Sequence, residues 1–300
     1  MKLSPRERAM LREMGVAWPE GLEGEVKAAP VPSPAVSTPA VATPAAPTVV
    51  APTVTPPTVT VPTATVPTAT VAGAGSWADL LTWEELQSAV SSCNRCGLCA
   101  QRRKSVFGVG HPRAAWMVVG EAPGEHEDRQ GEPFVGAAGQ LLDRMLASID
   151  LSREAAPIDH APDGRAFAAG ASERAADRQV FITNTVKCRP PQNRNPEPAE
   201  LAACAPVLQR QMELVRPRLV LAMGRFAAQQ LLRTEEPLGR LRGRVHRLTG
   251  AGAAWAGDLG VPVVVTYHPA YLLRNPIDKA KAWDDLCLAL DTMAALPVGD

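Results

Sequence analysis

Residues 116–142 read WMVVGEAPGEHEDRQGEPFVGAAGQLL, and their punctuation decides the architecture. The apolar run WMVV stops abruptly in GEAPG, and PFVGAAGQLL follows after a polar interval. A short Val-rich run ending at a Gly/Pro turn reads as a buried strand, and the apolar spacing from Gly139 onward reads as a helix packed back on it. Ligands of open α/β sheets bind outside the carboxyl ends of the strands. This turn puts a carboxylate, Glu121, and an aromatic ring, Phe134, at such an end. The stretch is therefore a candidate active site.

Working outward, three similar runs recur: VFITNTV from Val180, LVLAMG from Leu219 and VPVVVTYH from Val261. Near-continuous Val/Ile/Leu runs separated by helical patterns signal a parallel sheet covered on both faces. The expected fold is a single three-layer α/β domain with a four-stranded, mainly parallel sheet flanked by helices. Residues 139–149 carry Leu141, Leu142, Met145, Leu146 and Ile149 at helical spacing, and residues 198–215 carry Leu201, Leu208, Met212 and Val215. Thr82 and Glu85 form a capping-box signature at the head of WEELQSAV. Residues 152–178 are rich in Gly, Ala and Asp, show no period, and read as a surface insertion.

The chain has 300 residues, with 31 Lys and Arg against 31 Asp and Glu, so no global basic field announces nucleic acid. Three local basic groups remain: Arg102, Arg103 and Lys104; Arg189 with Arg194; and RLRGRVHR, which holds Arg240, Arg242, Arg244 and Arg247. Taken singly, each reads as a solvated face. Residues 28–75 hold no charge and repeat Pro, Thr, Val and Ala, a composition with too few large apolar side chains to offset its ordering entropy. They read as a disordered linker, which leaves residues 76–297 as the folded domain and residues 1–27 as a short terminal segment. Residues 4–14 place Met10, Leu11 and Met14 on one side of a short helix, suited to docking on a protein partner. Charges occupy the place of a signal peptide's apolar region, and no run approaches membrane-spanning length. A cytoplasmic monomer without membrane contact is expected.

Six cysteines in such a chain argue against a disulfide framework and towards metal or chemistry. Cys93 and Cys96 form a C-x2-C pair, Cys99 extends it, and Cys188 and Cys204 form a wider pair. Four thiolates from these two pairs suit zinc or an iron-sulfur cluster, and spacing alone does not choose. A ferredoxin-type run would place a fourth cysteine where this chain has Arg103, and the radical-SAM spacing is absent. Cys287, in WDDLCLALDTM, reads as a core residue.

GEAPGEHEDRQGEPFVGAAGQLLD, the paired cysteines with KCRPPQNRNP between them, and HPAYLLR after the last strand together resemble the family 4 (type a) iron-sulfur uracil-DNA glycosylases. The resemblance spans the folded part in the expected order. It implies a [4Fe-4S] cluster on Cys93, Cys96, Cys188 and Cys204, with Cys99 and Cys287 unassigned. It places Gly120, Glu121 and Ala122 against the base and the scissile bond. Phe134 would stack on uracil, Asn184 would read its edge, and His268 would lie near a carbonyl oxygen. Related glycosylases with a GQDPYH motif have Asp where this chain has Ala122, which bears on the role of Glu121.

The chemistry accounts for these residue types. A glycosylase reaches its bond only by extruding the nucleotide from the stack. Uracil offers an O4 acceptor and an N3–H donor where cytosine offers the reverse, so one fixed amide, Asn184, tells them apart by the cost of unpaired buried groups. Bond cleavage leaves positive charge on the sugar, facing Glu121, which stabilises it and orients or activates water. Negative charge grows on uracil O2, facing a donor on His268. The expected partner is uracil-containing DNA, single- or double-stranded. Phosphate contact is expected from Arg189, Arg194, Arg242 and Arg244, and minor-groove entry from Leu272, Leu273 and Arg274. Three rivals compete with a monofunctional glycosylase. The crosslinking variant uses a histidine in a KRRIH loop, which KCRPPQNRNP lacks; a lyase would have only Lys187 as its amine; and a non-catalytic DNA-binding module would have no use for Glu121, Phe134, Asn184 and His268 together.

Overall fold

The computed structural model describes residues 76–154 and 178–297. The segments read as a terminal helix and a linker lie outside the described residues, as do residues 155–177 of the expected insertion. The ends of that segment meet: Ser152 N–H donates to Arg178 O at 3.2 Å, and Val180 N–H donates to Ser152 O at 3.4 Å.

Six strands form one sheet: β1 (Val109–Gly110), β2 (Trp116–Gly120), β3 (Val180–Asn184), β4 (Leu219–Met223), β5 (Val245–Leu248) and β6 (Val261–Thr266). Their order is β1-β3-β2-β4-β6-β5. The central four are parallel, and every residue in them is buried. These are the four apolar runs of the sequence. The expected four strands become six because β1 and β5 add antiparallel edges. β1 is only two residues long, and β5, VHRL, is exposed or half-buried until Leu248. Neither carries the continuous apolar run of a strand covered on both faces.

Helices α1 (Trp83–Ser91), α2 (Glu125–Gln130), α3 (Ala137–Ala147), α4 (Pro198–Val215), α5 (Arg225–Leu232), α6 (Leu238–Leu241), α7 (Pro269–Arg274) and α8 (Lys279–Ala295) complete the described part. Successive side chains of a strand point to opposite faces, and the core divides accordingly. Trp116, Val118, Leu219, Leu221 and Val264 pack with α3, α7 and α8, while Met117, Val119, Val220, Ala222 and Val263 pack with α1, α4 and α5. The result is three layers. Thr82 and Glu85 form the expected capping box of α1, with Thr82 N–H donating to Glu85 Oε2 at 2.8 Å. Cys287 is half-buried on α8 and packs against the first of these layers.

Register positions the site. Gly120 pairs with Asn184 and Met223 with Thr266, so the parallel strands end level with one another. The segments that leave them begin at Glu121, Thr185, Gly224 and Tyr267, all on one edge of the sheet.

Candidate active site

Gly120 ends β2 because nothing larger fits there. A Cβ at this position would collide with Asn184 Oδ1 and lie 2.5 Å from Phe134 Cζ. The missing side chain lets an amide from β3 and a ring from the next loop meet over one backbone position. Phe134 adopts a left-handed φ of 55°, and α3 closes on it through Gly139, where a Cβ would strike the Phe134 carbonyl. Both glycines therefore serve the placement of one ring.

A carboxylate locks the same turn. Glu127 accepts from Gly124 N–H at 3.0 Å, Val135 N–H at 2.9 Å and Gly136 N–H at 3.2 Å. It ties GEAPG to PFVG and so holds the backbone on both sides of Phe134. The Phe134 ring stacks on the His268 imidazole, with centroids 5.3 Å apart and planes inclined by 28°.

His268 ends the segment after β6 and caps α7, its Nδ1 accepting the Ala270 N–H at 3.1 Å. An accepting Nδ1 leaves the proton of a neutral imidazole on Nε2. Burial pulls the His268 pKa down to about 4, aided by the positive charge of Arg274 and opposed by Glu127. At neutral pH the ring is an uncharged donor through Nε2. Asn184 is 2 % exposed, and its buried Oδ1 has no hydrogen-bond partner among the described residues. A buried acceptor left open in this way is costly unless something fills it.

Glu121 follows Gly120 on a backbone pinned from the neighbouring strand. Its carbonyl accepts from Thr185 Oγ1 at 2.5 Å and from Val186 N–H at 3.3 Å. Burial raises the Glu121 carboxyl above the usual carboxylate range, and Arg225, the first residue of α5, opposes that shift. The segment after β4 also enters through Gly224, whose left-handed φ of 89° and bare Cα let it lie against His268.

A cavity lies among the cysteines. Cys93, Cys96, Cys99, Cys188 and Cys204 line it together with Val90, Leu98, Val186 and Val207. Arg102 Nη1 donates to Cys188 Sγ at 3.1 Å. Burial pushes the Cys188 thiol up and the Cys204 thiol up to about 11. Among the described residues, no three His, Cys, Asp or Glu side chains converge as they would on a single metal ion. The thiols line an apolar space, a donor set that fits a thiolate-held metal centre, an iron-sulfur group included.

Comparison with known proteins agrees with this geometry. The uracil DNA glycosylase superfamily matches over residues 107–287, which spans all four site segments. The chain belongs to this superfamily, in its type-4 family. A type-4 uracil-DNA glycosylase of Sulfurisphaera tokodaii is 38% identical over 195 residues, covering 64% of this chain and 76% of that protein. One from Archaeoglobus fulgidus is 38% identical over 197 residues, 64% of this chain and 84% of its own length. A third, from Saccharolobus solfataricus, is 36% identical over 214 residues, 70% and 85% of the two chains.

In this type-4 chain the residues expected at DNA divide into exposed and withdrawn ones. Leu273 is 44% exposed and Arg274 is exposed at the end of α7, but Leu272 is fully buried in the core beside α3. Leu272 is thus not available to a groove, because the helical turn directs it inward. Arg242 is also withdrawn: its Nε donates to the fully buried Asp285 at 2.7 Å, and its guanidinium lies 4.2 Å from the Tyr267 ring centroid. Arg194 grips Glu200 through both Nη atoms, at 2.9 and 2.6 Å, and so fixes the start of α4. Arg189 bonds Asn193 Oδ1 at 2.8 Å, and Arg244 pairs at 3.1 Å with Glu236 while remaining largely exposed. Ala122 packs at the rim of the small cluster formed by Leu98, Val186 and Cys188, between Glu121 and the cysteines.

Residues overlooked in the sequence are Glu127, Gly139, Gly224 and Arg225. Glu127 occupies a capping position three residues after Gly124, a signal legible in GEHE; the others act through backbone geometry or through space. No described helix is long and apolar enough to cross a membrane.

Proposed function

We propose that the protein is a monofunctional uracil-DNA glycosylase that releases uracil from deoxyuridine extruded from DNA, leaving an abasic site for base excision repair. The observation that carries this reading is the open, buried Oδ1 of Asn184 beside Phe134 and His268. Oδ1 accepts uracil N3–H and the amide nitrogen donates to O4, a pairing that cytosine reverses. Phe134 offers a ring face to the base. Nε2–H of the neutral His268 donates to O2 as negative charge builds there, so no proton need be lost from the imidazole. Glu121, once ionised, faces the positive sugar and orients water towards C1′. Its lifted pKa follows from a partly water-excluded position, which also strengthens its action on the sugar cation.

Cys93, Cys96, Cys188 and Cys204 are the residues assigned to a [4Fe-4S] cluster, with Cys99 as a fifth thiol in the same cavity. When bound, the cluster would supply a thiolate-iron tie between the segment that follows α1, the segment that follows β3, and α4. Leu273 and Arg274 are assigned to the DNA beside the extruded position, with Arg189 and Arg244 as phosphate contacts.

The test is incubation of the iron-replete protein with a labelled oligonucleotide carrying one uracil, followed by cleavage at abasic sites with alkali. Strand scission at the uracil position supports the reading; none, in single or double strands, overturns it.

A further inference from the structure

Lys187 reads in the sequence either as the amine a lyase would need or as a charge beside Cys188. It does not serve lyase chemistry. Its side chain is 2% exposed, and its ammonium is turned away from any substrate, donating to Thr183 Oγ1 and to the Asn184 carbonyl, each at 2.6 Å. Thr183 is itself fully buried and bonds onward to the Phe107 carbonyl at 2.9 Å. Gln211 of α4, also fully buried, donates to the same carbonyl at 2.9 Å. The ammonium therefore stands at the head of a buried polar chain whose members have their partners inside the protein.

Lys187 lines the cysteine cavity beside Cys204, and Cys188 follows it directly in sequence. The Lys187 carbonyl accepts from Val106 N–H at 2.8 Å, which fixes the residue from a third side. We propose that Lys187 is a positioning residue, which holds the peptide of the base-reading Asn184 and joins it mechanically to the cysteine cavity. This rests on the reading of Asn184 as the amide that recognises uracil.

The physical case is one of precision. Asn184 is the last residue of β3; the N–H of its peptide, on Thr185, donates to Gly120 O at 3.0 Å, and its carbonyl is held by the Lys187 ammonium. A tolerance of about 0.5 Å is what a discriminating contact allows. A charge-assisted donor at 2.6 Å to the carbonyl restrains that peptide more strongly than a neutral bond would. Replacing Lys187 with Met keeps the length of the side chain and removes every donor.

The experiment is a double-mutant cycle of Lys187→Met with Asn184→Ala, read in two ways. The first is kcat/KM on uracil-containing oligonucleotide. The second is the Kd for the same oligonucleotide bearing 2′-fluoro-deoxyuridine, which resists cleavage because fluorine disfavours positive charge at C1′. With Asn184 present, Lys187→Met is expected to weaken both about tenfold; in the Asn184→Ala background the same change should cost less than about twofold. Iron content and absorbance near 400 nm are measured on each protein. Equal losses in both backgrounds, or no loss with Asn184 present, overturn the proposal while leaving uracil release by the unmodified protein intact. Should Lys187→Met not fold, Thr183→Val, which removes the other acceptor at nearly constant volume, carries the same cycle. Coupling to Asn184 supports the proposal there, and additivity overturns it. Absence of uracil release by the unmodified protein refutes the glycosylase reading instead.

Discussion

The Nδ1 atom of His268 accepts the Ala270 N–H at 3.1 Å, and this single bond leaves Nε2 as the nitrogen that carries the proton of the neutral ring. Had Nδ1 carried the proton, Nε2 would be an acceptor turned towards uracil O2, and the two lone pairs would repel. The capping role of His268 in α7 and the donor role proposed for its Nε2 are thus one arrangement. Truncation to Ala is expected to lower kcat about 10²–10³-fold, as removal of a donor to a developing oxyanion does. Asn at this position, able to cap through Oδ1 but with a shorter reach for its donor, is expected to recover only part of that loss.

The pH dependence follows. With a pKa of about 4 against an ordinary 6.5, His268 stays neutral in the folded protein while the unfolded chain takes up a proton. Its contribution to stability is complete above about 6.5 and is lost as pH falls towards about 4. Activity should therefore show no inflection from this histidine across neutral pH. The acid limb is expected to belong to Glu121, whose burial raises its pKa and which must be ionised to act. A pH profile of kcat that keeps its acid limb in Glu121→Gln would contradict this assignment.

Gly120→Ala tests the meeting of Asn184 and Phe134 directly. The added methyl would sit 2.5 Å from Phe134 Cζ and collide with the Asn184 amide. Overpacking of this kind costs about 1–3 kcal/mol of stability. The loss in kcat/KM is expected to be larger, on the order of 10²-fold, because displacement of reacting groups by about 1 Å has that effect. Thermal unfolding and kinetics on one preparation separate the two.

Much of this was legible in the chain. The four central strands announce themselves as WMVV, VFIT, LVLA and VPVVV because burial on both faces leaves no room for polar alternation. Glu121, Phe134, Asn184 and His268 are the residues that the level strand ends bring to one edge. The misreadings have local causes. Leu272 and Leu273 look alike as LL in sequence, yet one turn of α7 buries the first and exposes the second. Arg242 looks like its neighbours in RLRGRVHR, but only the folded chain brings Asp285 from α8 against it. The bond of Glu127 to Gly124 N–H is legible as a capping position in GEHE, but its bonds to Val135 and Gly136 N–H join backbone amides eight and nine residues on, which no side-chain pattern reveals.

Arg274 and Arg242 should accordingly separate in a salt titration of DNA binding. Arg274→Ala is expected to reduce the slope of log K against log salt by up to about 0.9, the value for one lost phosphate contact. Arg242→Ala should leave that slope unchanged. It should instead destabilise the fold by about 3–5 kcal/mol, because Asp285 is then buried without its counter-charge. Binding isotherms at several salt concentrations, with denaturant unfolding of each variant, check both.

Glu127→Ala removes the acceptor of three backbone N–H groups and is expected to cost about 1–3 kcal/mol. Its kinetic signature should resemble that of Phe134→Ala, since both release the same ring. Glu127→Gln keeps an acceptor and should retain more of the activity than Glu127→Ala; the order of kcat/KM for the three variants is the measurement.

The central claim is that the buried amide of Asn184 reads the uracil edge, its unpaired Oδ1 accepting N3–H and its nitrogen donating to O4. It is tested most directly by comparing kcat/KM of the unmodified protein and Asn184→Asp on matched oligonucleotides containing uracil or cytosine. The expected result is efficient release of uracil and none of cytosine by the unmodified protein, with Asp at this position losing the donor to O4 and with it about 10²-fold or more on uracil. Release of uracil undiminished in Asn184→Asp, or no release by the unmodified protein, contradicts the claim.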